Sequence, residues 1–199
     1  MAAIVGAPSL TGAGGADSRA EPRPSFVEVY ESTAEYVWRT VGHLGVAEAA
    51  VEDVVQEVFL VVHRRLAEFE GRSSVRTWVY GIAVHVARSH RRAVGRRPPP
   101  AAASPLGDPD VLGDDPRQGP DALLERAQAA LLVDELLDQL DADLREVFVL
   151  AELEEMTATE IGDVLGLNPN TVSSRLRLAR RDFNRALGRA RARDEWRIR

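Results

Sequence analysis

The chain has 199 residues, 45% hydrophobic and 28% charged, with a formal net charge of −6 and no cysteine. That size holds one medium domain or two small ones, and the missing thiols exclude disulfides, thiol catalysis and cysteine-ligated zinc. No apolar run approaches the roughly 20 residues that cross a bilayer, and an acidic mean argues against a general nucleic-acid coat.

The mean conceals segregation. Ten arginines fall between Ser174 and Arg199, against Asp182, Asp194 and Glu195. A second basic cluster, RSHRRAVGRR, runs from Arg88 to Arg97, whereas Asp121 to Asp163 holds only Arg126 and Arg145 among many carboxylates. Such patches on an acidic chain point to localised contact with a polyanion; solvated helix faces are the alternative reading of each.

In chain order, residues 1–24 lack a basic n-region, are interrupted by glycine and proline, and read as a disordered tail. Ser25 to Gly42 predicts a helix: Ser25 and Glu28 form a capping box, and Phe26, Val29, Tyr30, Thr33, Val37 and Val41 form one stripe. A longer helix, GVAEAAVEDVVQEVFLVVHRRLAEF, follows. It has an apolar stripe of Val51, Val54, Val55, Val58, Val62 and Leu66 and a polar face of Glu48, Glu52, Asp53, Gln56 and Glu57. Gly71 stops it, and Ser73 or Ser74 caps the next, VRTWVYGIAVHVARSHRR. This third helix is expected to bury Val75, Trp78, Val79, Ile82 and Val86, leaving Arg76, Tyr80, Arg88 and Arg91 outward.

Residues 96–120 hold seven prolines (98, 99, 100, 105, 109, 116 and 120) and four aspartates, which forbids helix and predicts an acidic, flexible linker. Helical pattern resumes with Asp121 as cap and Leu123, Leu124, Ala127, Leu131 and Leu137 inward. Asp141 is expected to cap ADLREVFVLAELEE, with Leu144, Val147, Phe148 and Ala151 buried. Thr157 and Glu160 make another capping box. No strand-like alternation occurs, so the predicted fold is all-α: two small helical domains, 25–95 and 121–188, and a basic tail, 189–199.

DVLGLNPNTVSSRLRLARR puts Gly166 and Pro169 inside an otherwise helical pattern. Glycine suits a sharp turn, Asn168 can cap the following helix, and Pro169 suits its first position. Ile161, Leu165, Leu167, Val172 and Leu176 are spaced to lock two crossing helices, the helix-turn-helix pattern. At about 100° per residue, Val172, Leu176, Ala179 and Phe183 share one side of the second helix. Asn170, Ser174, Arg177 and Arg181 oppose them, flanked by Thr171, Ser173 and Arg185. That face suits phosphates and base edges of a major groove.

With both halves in view the chain resembles bacterial sigma factors of the extracytoplasmic-function group. VEDVVQEVFLVVHRRLAEFEGRSSVRTWVYGIAVHVARSHRR is similar to that family's first conserved domain, and LDQLDADLREVFVLAELEEMTATEIGDVLGLNPNTVSSRLRLAR to its last. The resemblance implies a non-catalytic, cytoplasmic initiation subunit that joins core RNA polymerase, directs it to promoter DNA and helps to open the duplex. It implies polymerase docking through Asp53, Gln56, Glu57 and Phe59. It implies recognition of the −10 element through Phe69, Glu70, Arg72, Ser73, Arg76, Tyr80 and Arg88, and of the −35 element through Asn170, Thr171, Ser173, Ser174, Arg177 and Arg181. An anti-sigma factor is a further implied partner. No cofactor or metal is expected: His43, His63, His85 and His90 form no HExxH pair. A helix-turn-helix regulator that binds DNA without polymerase is the alternative function.

Overall fold

The computed structural model describes residues 24–95 and 120–197. The expected N-terminal tail and nearly all of the acidic linker lie outside the described residues. Every regular element among the described residues is helical.

The N-terminal half is a three-helix unit. α1, Phe26–His43, begins at a complete capping box: Glu28 N donates to Ser25 Oγ, and Ser25 N to the Glu28 carboxylate at 2.7 Å. Its buried face is Val29, Thr33, Val37, Thr40 and Val41. The two threonines can be buried because each hydroxyl donates to the carbonyl one turn back, at 2.6 Å for Thr33 and 2.8 Å for Thr40. Tyr30, expected on that stripe, is 48% exposed and lays its ring against Phe59 instead. α2, Glu48–Arg65, buries Val51, Val54, Val55, Val58, Phe59 and Val62. It ends four residues before the expected Phe69, in a 3-10 turn, Leu66–Glu68. α3, Val75–Val94, takes Ser74 as its cap, the hydroxyl accepting from Thr77 N at 3.0 Å.

In the second half α4, Pro120–Leu137, starts ahead of the expected cap Asp121, which therefore falls inside the helix. Its apolar stripe is displaced from the predicted one: Leu124 and Leu131 are exposed, while Leu136 and Leu137 are buried. The reason is the partner. α4 lies across the far end of α7, where Leu136, Ala186 and Ala190 form a small separate core with Leu132, Phe183 and Leu187. α5, Ala142–Phe148, follows Asp141, which occupies the cap position without making a side-chain capping bond. The predicted continuous helix here gives way to a π turn, Val149–Leu153, and then to Glu155 at φ 55°. α6, Ala158–Leu165, and α7, Pro169–Arg197, complete the chain. The expected basic tail from residue 189 is the continuation of α7. Arg189 bonds Gln139 at 2.7 Å and Arg193 pairs with Glu135 at 3.0 Å.

The halves are packed against each other. One core runs from the valines of α1–α3 through Leu137, Leu140, Val147, Phe148 and Leu150 to Ile161 and Val172. Polar contacts seal the seam. Arg145, itself 7% exposed, donates to His43 O at 2.5 Å and to Asp138 at 2.6 Å.

Candidate nucleic-acid interface

The helix-turn-helix is assembled from short-range signals. Thr157 and Glu160 cap α6 reciprocally, with Thr157 N donating to Glu160 at 2.8 Å. The hydrogen-bonded backbone holds the Glu160 carboxyl below its usual range. At the helix end Gly166 adopts φ 68° and ψ 37°, the left-handed region that glycine enters without strain. Leu167 N then turns back to Gly162 O at 2.8 Å. A Cβ on Gly162 would lie 2.7 Å from Leu167 O, so glycine is required there by close backbone approach. Asn168 Oδ1 accepts from Asn170 N at 2.8 Å, and Pro169 opens α7.

Val172 and Ala179 are fully buried, and Phe183 stacks on Phe148 with centroids 4.6 Å apart. The opposite face, Asn170, Thr171, Ser173, Ser174, Arg177 and Arg181, is exposed throughout. Ser173 Oγ donates to Pro169 O at 3.0 Å, and Arg181 pairs with its neighbour Asp182 at 2.9 Å. Arg175 and Arg180 turn aside to Asp143 and Glu152. Arg177 makes no ion pair with any described residue, so its five donors are free to meet a phosphate or a guanine edge.

The second predicted set is not brought together in an open surface. Glu70 and Arg72 pair with each other at 2.9 Å in the exposed loop, beside the exposed Ser73. Phe69 packs on Trp78, 5.3 Å between centroids, so Trp78 is only partly buried. Arg76 lies over the Tyr36 ring at 4.5 Å, donates to Tyr80 OH at 3.0 Å and reaches Glu154 at 3.3 Å. Tyr80, predicted to face outward, is 2% exposed; burial first, and then Glu154, push its phenol well above the usual range, so it stays neutral. Arg88 and Arg91, also predicted outward, turn onto Glu146 of α5. The correction has one cause: the second half covers this face of α3.

On α2, Asp53, Gln56 and Glu57 are exposed, whereas Phe59 is 5% exposed. The Phe59 ring forms part of a groove of about 830 Å³ between α1 and α2, with Phe26, Tyr30, Trp38, Leu60 and His63. Sequence reasoning missed the buried polar residues at the seam: His43, Arg145, Glu146 and Glu154. Nothing local marks them, because Glu146 meets Arg88 58 residues away and Thr40 meets Glu154 114 residues away.

Comparison with known proteins matches this geometry. Residues 29–97 match "Sigma-70 region 2" and residues 130–183 match "Sigma-70, region 4". The chain is 36% identical over 147 residues to the RNA polymerase sigma-H factor of Pseudomonas aeruginosa, covering 68% of this chain and 72% of that one. It is 32% identical over 133 residues to the ECF RNA polymerase sigma-E factor of Escherichia coli (strain K12), covering 65% of this chain and 70% of that one. Among solved structures, CnrH in complex with the cytosolic domain of CnrY superposes with a TM-score of 0.58 at 25% identity, over 82% of this chain and 87% of that one. The sigma factor RpoE of Bartonella quintana, solved with the anti-sigma factor NepR, shares the fold, with a TM-score of 0.63 at 19% identity over 82% of this chain and 96% of that one.

A helical chain with two such regions in this order is a promoter-directing subunit of bacterial transcription, a class that is in general non-catalytic. This protein belongs to the sigma-70 family, in its extracytoplasmic-function group, and directs RNA polymerase to promoters for initiation.

Proposed function

We propose that the recognition work is divided between the halves. Residues 25–95 dock on core polymerase and hold the −10 element, and residues 121–188 read the −35 element. The observation that carries this reading is the face of α7 from Asn170 to Arg181: fully exposed, held rigid over Val172 and Phe148, and topped by an unpaired Arg177. Asn170, Ser174 and Arg177 address base edges, while Thr171, Ser173 and Arg181 address phosphates. Asp53, Gln56 and Glu57, with the Phe59 groove beside them, form the polymerase contact. Phe69, Glu70, Arg72, Ser73, Arg76, Tyr80 and Arg88 form the −10 surface. An anti-sigma factor is the proposed regulator, and the cytoplasm, where polymerase and chromosome meet, is the proposed site of action.

The test is run-off transcription on a promoter library with purified protein, with and without core polymerase. Transcripts from a defined promoter class only when core is present are expected; a footprint without core and no transcript would favour the polymerase-independent regulator. In the same assay Arg177→Ala is expected to lose about 1–3 kcal/mol of discrimination at one −35 base pair, read as relaxed preference there with the −10 preference unchanged.

A further inference from the structure

Two carboxylates of the second half stand on α3 where DNA phosphates would stand. Glu146, its side chain 2% exposed, accepts from Arg88 Nε at 2.8 and 2.9 Å, from Arg88 Nη2, and from Arg91 Nη2. Glu154, 6% exposed, accepts from Arg76 at 3.3 Å and from Thr40 at 2.5 Å. A forked guanidinium–carboxylate contact has the same donor geometry as guanidinium–phosphate. Burying a carboxylate is costly unless it is paired, and the ion-pair partners of both acids lie on α3. Neither acid has such a partner within its own half among the described residues. The α7 face from Asn170 to Arg181 takes no part in the seam and stays exposed.

We infer that the packed arrangement is a closed state in which Glu146 and Glu154 occupy the α3 arginines that hold the −10 strand. This surface is released only when the second half swings off α3, whereas the −35 face is readable in both states. The inference rests on the assignment of α3 to the −10 element made above. Physically, opening exchanges carboxylate for phosphate at the same guanidinium groups. The free protein therefore binds the strand with its intrinsic affinity reduced by the small fraction of open molecules.

The test uses the full chain in two forms. Glu146→Gln keeps the shape and removes the charge that holds Arg88 and Arg91. It is expected to bind a pool of short random single-stranded DNA on the order of tenfold more tightly than the unaltered protein, the scale of a rise in open fraction. Glu31→Gln, the same charge change on the exposed face of α1, is expected to bind no more tightly. The second form locks the seam. A Cβ on Gly81 would lie 3.6 Å from Val164 Cγ2, and the chain has no other thiol, so Gly81→Cys with Val164→Cys can be bridged across α3 and α6. Oxidised, this protein is expected to lose single-strand binding and core-dependent transcription while keeping its affinity for −35 duplex; reduction restores both. Equal single-strand binding by Glu146→Gln and the unaltered protein overturns the closed state, as does transcription by the oxidised form. No transcript from the reduced form with core removes the parent reading of α3 as well, so the two failures are distinguishable.

Discussion

Glycine substitutions separate two physical effects at the residue scale. Gly188 lies inside α7 with nothing within 4 Å of an added Cβ, so Gly188→Ala is expected to stabilise by roughly 0.5–1 kcal/mol through lost freedom of the unfolded chain. Gly162 lies inside α6, where the same methyl meets the Leu167 carbonyl at 2.7 Å. Gly162→Ala is expected to destabilise by about 1–3 kcal/mol, the scale of overpacking against backbone that cannot yield. Urea midpoints of the two variants against the parent check both signs at once. The contrast also bears on function, because the displaced Leu167–Asn168 turn sets the angle at which Asn170 and Arg177 are offered to DNA.

At the scale of elements, α7 is a single rod of 29 residues, about 43 Å at 1.5 Å per residue. Its first turns carry the exposed reading face and its last turns brace α4 through Ala190, Arg189 and Arg193. Deleting residues 189–199 is therefore expected to uncover Leu136 and lower stability by roughly 1–2 kcal/mol, read as a lower melting temperature. What could be read from sequence follows the same division of range. Both capping boxes, Gly166, Asn168 and Pro169 are signals written within four residues, and the structure places them as expected. The buried side of α7 follows from helical period alone. The stripe of α4 does not, since its partner is the far end of another helix. The outward reading of Tyr80 and Arg88 assumed that α3 ends the first half in solvent, and no local pattern shows that α5 arrives to cover it. The partial π character after Phe148 is likewise a product of packing, not of composition.

For the whole molecule, the seam between the halves carries an acid sensitivity. His43 is largely buried, its Nδ1 without a partner and its Nε2 3.5 Å from Asp134 of α4. Burial, the largest influence, holds its imidazole below the usual value of 6.5; Asp134 and Glu154 oppose this, and Arg145 and Arg39 assist it. A histidine depressed in the packed state binds fewer protons there than when unpacked. Its contribution is therefore complete above about 6.5 and is lost as pH falls through that value. Asp134, raised by burial, works in the opposite sense lower down, in the carboxylate range. The denaturant midpoint is expected to fall between about pH 7.5 and pH 5.5, and His43→Gln is expected to flatten that stretch of the profile.

The π turn at Val149–Leu153 has a consequence for spacing. Each residue of a helix advances the chain by about 100° and 1.5 Å. Deleting one residue between Phe148 and Glu154 would restore ordinary helical register, swing the Glu154 carboxylate about a quarter of a revolution away from Arg76, and leave Glu146 where it is. Segment length, rather than side-chain chemistry, thus decides whether one or two acids reach across the seam. Insertions and deletions at this point offer a graded way to tune how tightly the two halves hold each other without altering any base-reading residue.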